Sequence, residues 1–115
     1  MSSVQWLFAI LKINGKLYKI VNYTVAMKCA HLVVSGRVQG VSFRANVRNK
    51  ANELDLKGYV KNLENGDVEV VAEGNEEKIK EFIDFIKKGP GIAKVTNVKM
   101  RHKEPENFKN FEIRR

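Results

Sequence analysis

The chain has 115 residues, 43% of them hydrophobic and 30% charged, with two prolines and one cysteine. These proportions argue against a disordered or multidomain polypeptide and allow one core to form without disulfides or a structural metal. Twenty-one basic against 13 acidic residues give a net charge of +8, which suits phosphates, nucleic acids or anionic surfaces. The longest apolar run, Trp6 to Leu11, is far short of the roughly 20 residues that cross a bilayer. The first residues also lack the basic region and cleavage site of a secretory signal, so no membrane partner is expected and the cytoplasm is the expected compartment.

Residues 1–29 form an N-terminal extension. Trp6 to Ile13 and Lys16 to Val25 flank Asn14-Gly15, a hairpin signal. The segment holds Lys12, Lys16, Lys19 and Lys28 and no acid, so half of the net charge lies in it. Two readings stand side by side: a β-hairpin that adds to a sheet edge or mediates dimerisation, or a mobile segment upstream of a domain that starts near Met27. Apart from such a contact the chain is expected to be a monomer.

From residue 30 onward short strands alternate with amphipathic helices. His31 to Ser35 reads as a strand, followed by the loop Gly36-Arg37-Val38-Gln39-Gly40-Val41. Phe43, Val47, Ala51 and Leu54 recur at helical spacing, with Ser42 as the expected N-cap. Gly58 to Leu63 and Asp67 to Glu73 are strands joined through Asn65-Gly66, a second hairpin signal. In the latter strand Val68, Val70 and Ala72 alternate with Glu69, Val71 and Glu73, the pattern of a half-buried antiparallel strand. Asn75 caps a second helix, with Glu76 and Glu77 in its first turn and Ile79, Phe82, Ile83 and Ile86 as its stripe, ended by Gly89-Pro90. Val95, Val98 and Met100 mark a further strand, and Phe108, Phe111 and Ile113 a last short one at the edge. The order βαββαβ plus an edge strand predicts an α+β fold, the ferredoxin-like sandwich of an antiparallel sheet with two helices on one face.

The informative stretch is the loop that runs from the first domain strand into the first helix. Backbone N–H groups at a helix start can converge on phosphate oxygens, and glycines allow the close approach. Arg44 stands in the first turn, where a cation opposes the helix dipole unless an anion sits there. Read from the pattern alone, the same residues serve equally as a tight connection with a solvated arginine. The loop is neither a P-loop, since no Gly-Lys-Ser/Thr follows, nor a dinucleotide fingerprint, since its glycines are four apart. His31 and His102 read as surface or packed histidines, and Cys29 as an inert thiol.

Gly36-Arg37-Val38-Gln39-Gly40-Val41-Ser42-Phe43-Arg44, Gly58-Tyr59-Val60-Lys61-Asn62-Leu63 and Gly66-Asp67-Val68-Glu69-Val70-Val71-Ala72-Glu73-Gly74 together resemble the signature of the acylphosphatase family over residues 30–115. That resemblance implies hydrolysis of the carboxyl–phosphate bond of a small acyl phosphate without metal or cofactor. It implies Arg44 as the phosphate-binding catalytic arginine and Asn62 as the residue that positions the attacking water. Val38, Gln39, Gly40, Val41, Ser42 and Phe43 would form the phosphate cradle with Arg44. Tyr59 stands where the family often has tryptophan, and Ser42 where it often has glycine or phenylalanine; neither change removes a catalytic group.

A rival reading is a non-catalytic phosphate- or nucleic-acid-binding module on the same fold. The strand Asp67 to Glu73 lacks the aromatic residues on which an RNA-binding sheet stacks bases, so no nucleic-acid partner is expected.

Overall fold

The computed structural model describes residues 3–13 and 16–115, with side chains described from residue 27 onward; the Asn14-Gly15 turn lies outside the described residues. The elements are β1 (Ser3–Ile13), β2 (Lys16–Arg37), α1 (Phe43–Glu53), β3 (Lys57–Asn62), β4 (Val68–Asn75), α2 (Glu76–Lys87), β5 (Lys94–Lys103) and β6 (Phe111–Arg114). From β2 to β5 the order is βαββαβ, and the two central strands β2 and β4 pair antiparallel from Met27↔Asn75 to Val34↔Val68. β5 lies antiparallel on the other edge of β2, from Cys29↔Lys103 to Arg37↔Lys94. β3 pairs antiparallel with β4, which completes the ferredoxin-like α+β arrangement. β6 occupies the edge beyond β3 but runs parallel to it, so the sheet is mixed rather than wholly antiparallel.

The strand expected over residues 31–35 is much longer. β2 runs unbroken through residues 29 and 30, and its first half pairs antiparallel with β1, from Ser3↔Met27 to Ile13↔Lys16. Met27 faces Ser3 on one side and Asn75 on the other, so β1 continues along the same edge of β2 that β5 occupies.

Period-two alternation turns Ala30, Leu32 and Val34 of β2 and Val68, Val70 and Ala72 of β4 towards the helices, all of them buried. Phe43, Val47 and Ala51 of α1 and Ile79, Phe82 and Ile86 of α2 meet them at helical spacing, and Phe82 packs edge-on against Phe111 of β6 at 6.0 Å between ring centroids. Among the described residues, no helix is long and apolar enough to cross a membrane.

β4 departs from the half-buried strand that its alternation predicts. Val71 and Glu73, on the face away from the helices, are as buried as their neighbours. The segment between β5 and β6 folds across that face: the backbone N–H groups of Asn107 and Phe108 donate to the Glu73 carboxylate at 3.0 and 2.8 Å, and Phe108 meets the Tyr59 ring edge-on at 6.1 Å. The two backbone donors offset the cost of burying a carboxylate there.

Candidate functional site

β2, β5 and α1 converge on the loop of residues 38–42. At Gly36, with φ +128°, any Cβ would collide with the carbonyl oxygen of Lys94, so only glycine lets β2 leave the sheet alongside β5. Val38 and Val41 then turn into the core at 1% and 8% exposure, pinning the loop from below. Gly40 lies between them with φ +71°, and a Cβ there would point into open space. Ser42 follows with φ 60° and ψ 20°. A left-handed conformation is unfavourable for a residue with a Cβ and is kept where the surrounding structure imposes it.

Ser42 does occupy the N-cap position of α1, but its side chain makes no capping hydrogen bond, which corrects the expected cap. An N-cap side chain reaches the N–H groups inside the first turn from an extended backbone, and Ser42 is left-handed. The first intrahelical bond is Asn46 N–H to Ser42 O at 3.1 Å. The N–H groups of Phe43, Arg44 and Ala45 have no acceptor one turn earlier. No acidic residue stands in this turn.

Val38, Gly40, Ser42, Phe43 and Arg44, together with Ala45 and Ile113, line one hollow of about 180 Å³. Five of the seven cradle residues expected from the sequence are therefore brought together. Val41 supports the loop from the core, and Gln39 turns away: its side-chain amide donates to the carbonyl oxygens of Leu63 and Asp67, each at 2.9 Å. The Arg44 guanidinium reaches back to the Arg114 carbonyl oxygen at 3.5 Å, the long limit of a hydrogen bond.

Asn62 closes β3 opposite Val68. It does not line the hollow, but its immediate neighbour Leu63 is one of the two residues gripped by Gln39. Its Oδ1 is buried and has no hydrogen-bond partner in the chain, alone in this among the described side chains. A buried acceptor left unpaired destabilises a fold by about 1–3 kcal/mol, and the atom is available to a ligand or a water.

Sequence reasoning missed the C-terminal strand as part of the site. Ile113 lines the hollow, and Arg114 accepts from Arg44 through its carbonyl while its guanidinium lies 4.0 Å over the Tyr59 ring. Tyr59 in turn donates its hydroxyl to Glu69 Oε1 at 3.0 Å, and His31 Nε2 lies 2.9 Å from Glu69 Oε2. Burial pushes the Glu69 carboxyl up, but the hydrogen bonds from His31 and Tyr59 outweigh it and leave the pKa below its ordinary value of 4.5. The same burial, with the bond to Glu69, pushes the Tyr59 hydroxyl up to about 12. Cys29 is 1% exposed, and burial, assisted by the charge of Glu73, pushes its thiol up to about 11. Among the described residues, no group of three or more His, Cys, Asp or Glu side chains is placed to hold a metal ion.

The sequence profile of the acylphosphatase family matches residues 30–113. The chain is 51% identical over 87 residues to an acylphosphatase of Caldanaerobacter subterraneus subsp. tengcongensis, covering 75% of this chain and 97% of the relative. It is 46% identical over 86 residues to an acylphosphatase of Coxiella burnetii, covering 75% and 90%. The crystal structure of acylphosphatase from Bacillus subtilis superposes with a TM-score of 0.75 at 36% identity, covering 76% of this chain and 99% of that one.

Proposed function

The chain belongs to the acylphosphatase family, and from that premise we propose that residues 30–115 hydrolyse small acyl phosphates without a metal, with residues 1–29 as an extension. Water attacks phosphorus in line with the bond to the acyl oxygen. That P–O bond breaks, its electron pair leaves with the carboxylate, and the proton given up by water ends on the phosphate. A carboxylate leaves well without protonation, so neither a general acid nor a covalent nucleophile is required of the protein. What remains is positioning and charge stabilisation.

Arg44 supplies the charge. Its fork of donors matches two phosphoryl oxygens, and the first-turn N–H groups of α1 supply further donors at the positive end of the helix. Asn62 orients the water. Its Oδ1 accepts a water proton while its Nδ2 remains a donor to a phosphoryl oxygen. The observation that carries this reading is the buried, unpaired Asn62 Oδ1 in a strand tied by Gln39 to the arginine-bearing loop. The hollow takes the phosphoryl group and leaves the acyl group outside, which suits a range of small carboxyl phosphates.

The test is hydrolysis of benzoyl phosphate in excess EDTA. The expected result is steady turnover unaffected by the chelator. A folded protein that binds inorganic phosphate without turnover would instead favour a phosphate-binding module, and activity abolished by EDTA and restored by a divalent cation would overturn metal independence.

A further inference from the structure

The family resemblance implies a place for Gln39 in the phosphate cradle, yet its side chain is engaged elsewhere. Both hydrogens of its amide are taken up by main-chain carbonyls, those of Leu63 and Asp67. Because both partners can only accept, the NH2 end of the amide must face them. These two carbonyls close the β3–β4 turn: Leu63 N–H donates to Asp67 O at 2.8 Å, and Gly66 N–H to Leu63 O at 3.2 Å. Leu63 directly follows Asn62, and Asp67 directly precedes Val68, the residue paired with Asn62. The amide thus straddles the base of the turn at both residues next to the Asn62–Val68 pair. On its other side, Gln39 lies between Val38 and Val41, both buried in the core, five residues before Arg44.

Resting on the reaction assigned above, we propose that Gln39 is a positioning residue: its amide fixes the end of β3, and with it Asn62, relative to the arginine loop. It acts on the water through Asn62 and makes no side-chain contact with the phosphate. The loop keeps its own anchors, Val38 and Val41 in the core, so phosphate affinity does not depend on the Gln39 side chain. In-line attack does depend on it, because displacing a reacting group by about 1 Å can reduce a rate by about 100-fold. Gln39→Glu carries a built-in titration. Above its carboxyl pKa the variant sets an anion against two carbonyl oxygens; below it, the protonated acid regains one donor.

The experiment is a cycle of Gln39→Ala, Asn62→Ala and the double variant, read as kcat for benzoyl phosphate and as the inhibition constant of inorganic phosphate. The expected result is a fall in kcat of about 10- to 100-fold in Gln39→Ala, a phosphate inhibition constant within about twofold of wild type, and no additional loss on the Asn62→Ala background. Gln39→Glu should regain kcat as pH falls, relative to wild type. Multiplicative losses with weakened phosphate inhibition would overturn the proposal and return Gln39 to the cradle. Undiminished kcat in Asn62→Ala would overturn the water-orienting role, and with it any action of Gln39 through Asn62. A readout independent of turnover is the Asn62 side-chain NH2 resonance pair, expected as a single sharp set in wild type and doubled or broadened in Gln39→Ala; an unchanged pair would overturn the brace whatever the reaction.

Discussion

The two helices begin in opposite ways. α2 opens on Asn75, whose extended backbone lets the side-chain oxygen accept from Glu77 N–H at 2.9 Å and Lys78 N–H at 3.4 Å, and Glu76 and Glu77 complement the dipole. α1 opens on a left-handed Ser42 that caps nothing, has no acid in its first turn, and places Arg44 where a cation is least at ease. Everything that the chain supplies to satisfy α2 it withholds from α1. An oxyanion would supply both missing elements at once, acceptors for the N–H groups and negative charge for the dipole and Arg44. The same fold therefore finishes one helix start internally and leaves the other without a side-chain cap or an acid, as the proposed phosphate site requires.

Substitutions can break this contrast from the functional side first. Arg44→Ala should lower kcat/KM for benzoyl phosphate by about 1,000-fold or more, the scale of losing a preorganised charged donor set, with an unchanged far-ultraviolet circular dichroism spectrum. Arg44→Lys should recover only part of it, since an ammonium lacks the planar fork. Asn62→Ala should lower kcat by about 100- to 1,000-fold with a smaller change in KM; equal kcat in variant and wild type would sink its role.

The stability side of the contrast involves smaller effects. Asn75→Ala should destabilise the fold by about 1 kcal/mol in urea titrations and leave turnover intact. Ser42→Ala should change stability by no more than about 0.5 kcal/mol, because no cap hydrogen bond is lost. A Ser42 effect as large as that of Asn75 would show that α1 is capped after all. On the far face of the sheet, Glu69 binds fewer protons folded than unfolded. Its contribution is therefore present above the ordinary carboxyl value of 4.5 and is lost as pH falls below it. Glu69→Gln should flatten that part of the stability–pH profile measured by urea midpoints.

What was legible in the sequence is what depends on neighbours. The stripe of Phe43, Val47 and Ala51, the Asn75 cap and the Asn65-Gly66 turn each follow from local spacing or turn chemistry, and the structure has them all. The buried outer face of β4 was not legible, because Asn107 and Phe108, which cover Glu73, come from 34 and 35 residues further along the chain. The loop and Arg44 stood out because the arginine conflicts locally with the helix dipole. Gln39 did not reveal its bonds, whose partners lie 24 and 28 residues away. Arg114, 70 residues beyond Arg44, carried no signal beyond belonging to a final strand. Pairing β6 parallel to β3 is what brings it to the site, and strand direction at a sheet edge is not written in alternation.

The contrast between the helix starts is tested most directly by titrating inorganic phosphate into isotope-labelled protein and following the backbone amides. Saturable shifts at residues 39–45, none at residues 76–78, and loss of the response in Arg44→Ala are the predicted result. No saturable shift at the α1 start, or an equal response at the start of α2, would contradict it.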